Sequence, residues 1–172
     1  MPASSRAQQI LLPASGKFIL FTLLCALILN LLPWQGYGLL LRPDFIALAL
    51  LFWCIHHPRR LGMTAAFVLG LLIDVADGAL LGQHALAYTI MVYLALLLRR
   101  RILMFPLQQQ ALHIFPLLLA LQLITLFIKF ATGTFIGGWG ILLTSATSTL
   151  LWPPLSFLLQ IPQRKSPKSE PI

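Results

Sequence analysis

The sequence predicts an all-α fold, a polytopic transmembrane helix bundle of six spans with both termini cytoplasmic. Three observations predict it. The first is composition: 59% of the residues are hydrophobic and 9% are charged, where a soluble domain carries about 25% charge. The second is pattern: apolar runs recur along the chain, separated by short basic or Pro/Gly-containing turns. The third is asymmetry. Six spans leave Arg6, Lys17, Arg59, Arg60, Arg99, Arg100, Arg101, Arg164, Lys165 and Lys168 on one side and only Arg42 and Lys129 on the other, which marks the first side as cytoplasmic. Five spans would place the C-terminal lysines outside, so six are favoured. The net charge of +8 reflects topology signals and contacts with anionic lipids, not a nucleic-acid surface.

Residues 1–17 form a short polar cytoplasmic tail. The first span covers about 18–34. Pro33, Trp34 and Gly36 follow its apolar run without a small-x-small cleavage pattern, so it is an uncleaved span and not a signal peptide. The second span, about 39–56, is interrupted by Arg42, Pro43 and Asp44. Pro43 disfavours helix at the residue before it, and Asp44 suits the cap of the helix that follows. These three residues form an outer-face structural motif. The remaining run from Phe45 to Ile55 falls short of the about 20 residues that cross a bilayer. A short or tilted helix packed inside the bundle solves that problem.

The third span, about 61–77, and the fourth, about 84–98, form a central hairpin. Arg59 and Arg60 precede it, and Arg99, Arg100 and Arg101 follow it. These five arginines set topology and touch anionic lipids. A linker at Ile102–Gln110 leads to the fifth span, about 111–130. An outer loop at Ala131–Gly140 leads to the sixth, about 141–161, where Pro153 and Pro154 predict a kink. Residues 162–172 read as a disordered cytoplasmic tail, which leaves 18–161 as the membrane domain.

No catalytic constellation, cofactor motif or metal set emerges. His84 lies near Asp77 across the outer turn, but zinc would need further N or S ligands. The Ser and Thr residues of the sixth span have no base beside them and suit helix–helix hydrogen bonding. Cys25 and Cys54 fall inside apolar runs as single thiols. Asp74 remains, because an ionisable residue within a span is a functional-site hypothesis by default. Gly70, Asp74 and Gly78 recur at four-residue spacing, with Gly82 next in the series. On one helix face they would let another helix approach closely, as a packing or partner face with the carboxyl hydrogen-bonded across it. Gln122 is a candidate partner. The other reading of Asp74 is an ion or substrate contact in a cavity.

Arg42-Pro43-Asp44, the G-x-x-x-D-x-x-x-G-x-x-x-G series from Gly70 to Gly82, Gln109-Gln110-Ala111-Leu112 and Leu151-Trp152-Pro153 resemble, in order and spacing, the segments of the bacterial rod shape-determining MreD family. The resemblance runs from the first span to the sixth. It implies a non-enzymatic scaffold of the cell-elongation machinery in the inner membrane. Its implied partners are MreC and, with the actin-like MreB, the RodA–transpeptidase synthase of side-wall peptidoglycan. That family is also similar in architecture to the six-helix substrate-binding components of energy-coupling vitamin transporters. A small-molecule-binding membrane component is therefore the alternative function.

Overall fold

Ten consecutive side chains, Ile46 to Ile55, are buried, and the rest of the molecule is arranged around them. In a computed structural model, residues 15–36, 38, 41–133 and 140–163 are described, without the side chain of Ile141. They hold six α-helices: α1 (Gly16–Leu31), α2 (Phe45–His56), α3 (Met63–Ala76), α4 (Gln83–Met104), α5 (Leu107–Ala131) and α6 (Gly140–Gln160). A 3-10 turn (Ile161–Gln163) follows, and no strand occurs among the described residues. The expected tails at 1–14 and 164–172, and the middle of the loop before α6, lie outside them.

α2 is the central helix. It packs on α1 and α4 and touches α6, while α3 lies against α4 and the chain continues α4 to α5 to α6 through neighbouring pairs. A 12-residue helix rises about 18 Å, well under the about 30 Å of a hydrocarbon core. Burial on every side removes the need for lipid-facing length. Among the described residues, only the stretches Leu107–Ala131 and Leu142–Gln163 are long and apolar enough to cross a membrane by themselves. α4 has 22 residues, but Arg99, Arg100 and Arg101 lie in its last turns.

Several boundaries differ from the expected ones. α2 starts at Phe45 with Asp44 as its N-cap, later than the expected start of the second span at about 39, because Pro43 holds the preceding residue out of helical backbone. The expected linker at Ile102–Gln110 is helix on both sides of one break. α4 runs through the arginines to Met104, and α5 begins at Leu107. Arginine is a good helix former, so nothing ends α4 until Pro106 biases Phe105 away from helix. α1 begins at Gly16, before the expected start of the first span at about 18, and the Ser15 side chain caps it by accepting from the Phe18 N–H. α6 passes through both Pro153 and Pro154 and stays helical.

Candidate functional site: the acidic end of the bundle

Asp44, Asp74 and Asp77 lie at one end of the bundle. Arg59, Arg60, Arg100 and Arg101 are exposed at the other.

Asp74 is fully buried in the last turn of α3. Its carboxylate reaches across the turn to the start of α4. Oδ2 accepts from the main-chain N–H of Gly82 at 2.9 Å and of Ala85 at 3.4 Å, and Oδ1 from that of His84 at 2.8 Å. The His84 ring donates from Nδ1 to the same Oδ1 at 2.9 Å, since an ionised carboxylate can only accept. The first turn of any helix leaves N–H groups unpaired. Gly82, the N-cap of α4, has no side chain to meet them, so Asp74 caps α4 from a neighbouring helix and places its negative charge at the positive end of the α4 dipole.

Gly70 makes that reach possible. A Cβ there would stand 2.3 Å from Ala85 Cα and 2.5 Å from its nitrogen, so α4 lies directly on the Gly70 backbone. The four-residue series does not continue as one face, however. α3 ends at Ala76, and Gly78 and Gly82 belong to the turn, with φ of +61° and +99° and nothing near an added Cβ. The spacing is regular, but the helix it was read on stops, and the glycines there supply left-handed backbone. Asp74 bonds His84, which sequence proximity alone would have paired with Asp77. Gln122 does not reach Asp74 and instead lines a cavity beside Asp44.

Asp44 gathers the other network. Its Oδ1 accepts from the Ala47 N–H at 2.9 Å, which is the cap bond of α2. The Tyr88 hydroxyl of α4 lies 2.9 Å from Oδ2 and 3.1 Å from Oδ1, and Asn30 Nδ2 of α1 donates to Oδ1 at 3.2 Å. Asn30 Oδ1 accepts from the Phe45 N–H at 3.1 Å, and the Asp44 N–H donates to Ser148 Oγ of α6 at 2.9 Å. The Arg42 guanidinium donates to the main-chain oxygen of Asn30, at the end of α1. Pro43 is buried between them. Neither Asn30 nor Tyr88 is singled out in the sequence, whereas Ser148 is one of the sixth-span Ser and Thr residues expected to hydrogen-bond between helices. The usable signal was an Asn inside an apolar run, since polar side chains in such runs need partners.

At the basic end the bonds are fewer. Arg99 Nε donates to the Ile55 oxygen, and His57 Nε2 lies 3.0 Å from Gln163 Oε1. His56 stacks on Phe52 with ring centroids 4.3 Å apart. Among the described residues no three His, Cys, Asp or Glu side chains group to hold a metal.

The family model described as rod shape-determining protein MreD matches residues 14–161. The rod shape-determining protein MreD of Haemophilus influenzae is 31% identical over 159 residues, which cover 87% of this chain and 96% of that protein. No solved structure matches the chain.

Proposed function

The chain belongs to the MreD family of rod shape-determining membrane proteins, and from that premise we propose that it is a non-enzymatic, multi-pass scaffold of the bacterial inner membrane. In this reading residues 18–161 form the membrane domain between cytoplasmic tails at 1–17 and 162–172. The basic end faces the cytoplasm and the acidic end faces outward. Arg59, Arg60, Arg99, Arg100 and Arg101 meet anionic headgroups. MreC and, with MreB, the RodA–transpeptidase synthase are the partners it organises, and nucleic acid is not among them.

The use of the buried polar groups carries this reading. Asp44, Asp74, Asn30 and Tyr88 bond the ends of helices to one another, which makes a braced frame. The peripheral helices keep apolar sides on its outside: Leu20, Phe21 and Leu24 on α1, and Phe67, Val68 and Leu72 on α3, are exposed. Faces of this kind meet lipid or the helices of other membrane proteins. The vitamin-carrier alternative draws support from polar residues of several elements converging on one cavity, but that cavity holds about 180 Å³, below the about 300–1,000 Å³ of sites for ligands of drug size.

The test is affinity purification of the tagged full-length chain from crosslinked membranes of cells that depend on it for rod shape. MreC and RodA are expected to co-purify. Restored rod shape at matched membrane levels with neither retained would overturn the scaffold reading. A C-terminal fusion to a reporter active only outside the cytoplasm should stay silent, and a strong signal would break the topology.

A further inference from the structure

The cavity at the acidic end is lined by residues of the loop before α2, the α3–α4 turn, and helices α1, α3, α4, α5 and α6. It is recessed. Gln122 stands nine residues before the end of α5 at Ala131, a depth of about 14 Å along that helix. Most charged groups around it are committed. Asp44 accepts from Tyr88, Asn30 and the α2 cap, and His84 Nδ1 faces Asp74.

Two charges are not. Arg42 spends one nitrogen on a main-chain oxygen, and the Asp77 carboxylate has no hydrogen bond among the described residues. Both line the cavity, yet no ion pair joins them there. A cation and an anion thus share one recess without reaching each other. A ligand that carries both an anionic and a cationic group would pair with each of them without adding net charge. Gln122 and Thr144 add side-chain donors and acceptors on the same wall.

We propose that this cavity binds a small zwitterion, an α-amino acid with a compact side chain. Its carboxylate is held by the Arg42 guanidinium, whose planar fork matches two oxygens. Its ammonium faces Asp77, with Gln122 and Thr144 on the remaining polar atoms. The volume of about 180 Å³ is well above the about 10–15 Å³ that one water needs and below that of sites for drug-sized ligands, which leaves room for a small occupant only. Binding here is independent of the scaffold role, because it uses groups that brace no helix pair except through the Arg42–Asn30 bond.

The test uses the full-length chain in lipid nanodiscs, with thermal unfolding and titration calorimetry against glycine, L-alanine and D-alanine. Acetate and methylammonium serve as single-charge controls. At least one amino acid is expected to bind saturably and raise the unfolding temperature, and neither control should. Asp77→Asn and Arg42→Lys should each weaken binding about tenfold or more, the loss expected when a charge-assisted contact is removed. Asp77 is exposed on a turn, so Asp77→Asn should leave the unliganded unfolding temperature unchanged and decides the matter even if Arg42→Lys misfolds. No saturable binding by any of the three, or binding that Asp77→Asn leaves untouched, overturns the proposal.

Discussion

Asp44 and Asp74 both bring a carboxylate to the start of a helix, by different routes. Asp44 caps the helix it precedes and also accepts from α1 and α4, while its N–H reaches α6. Asp74 sits at the end of one helix and caps the next, entirely within the α3–α4 hairpin. The first residue ties distant parts of the chain together. The second fixes a single turn, and depends on Gly70 for the space to do so. A cap is therefore local or tertiary according to what surrounds it, although both rest on the same unpaired N–H groups.

The comparison can be broken first at Gly70. Gly70→Leu drives a side chain into the Ala85 backbone, where relief requires the helices to separate. The loss should reach or exceed the top of the about 1–3 kcal/mol typical of overpacking. Thermal unfolding in detergent at matched expression would show it, and a near-normal midpoint would remove Gly70 from the interface.

Next in size is Asp74→Leu, which strands the N–H groups of Gly82 and His84 in a half-buried site and should cost about 2 kcal/mol. Asp74→Asn should be intermediate, not silent. An amide keeps one acceptor oxygen and turns a second donor toward donors that the carboxylate satisfied. Hydrogen exchange at the start of α4 should rise in both variants while the start of α2 stays protected. Equal loosening at both helix starts would show that the two sites are coupled.

Tyr88→Phe tests the long-range side of Asp44. It removes the hydroxyl that lies against both carboxylate oxygens and leaves the α2 cap bond in place, so a loss of about 2 kcal/mol is expected. Crosslinking between α2 and α4 should weaken more than crosslinking between α3 and α4. The smallest effect belongs to Gly78→Ala. Open space surrounds that site, and only its left-handed backbone penalises a side chain, by about 1 kcal/mol. A loss as large as that of Gly70→Leu would mean that Gly78 lies in a contact after all.

The sequence alone determined a good deal. All-helical class follows from apolar runs of helical length, and Asp44 as a cap follows from Pro43 before it and the apolar run after it, because both effects act within a few residues. Family membership was legible because ordered short motifs survive in one dimension. Burial of α2 on all sides was half legible: the run is too short to span a bilayer, but only neighbouring helices decide that its ten central residues meet no lipid. The tertiary structure alone decided which donors meet which carboxylate. Asp74 and Gly78 keep helical spacing in the sequence, yet the helix ends between them, and a period has meaning only while the helix continues. Asn30, Tyr88 and Ser148 are scattered over more than a hundred positions and converge on Asp44 through the packing of α1, α4 and α6 around α2. Their convergence depends on three-dimensional distance, which no local pattern encodes.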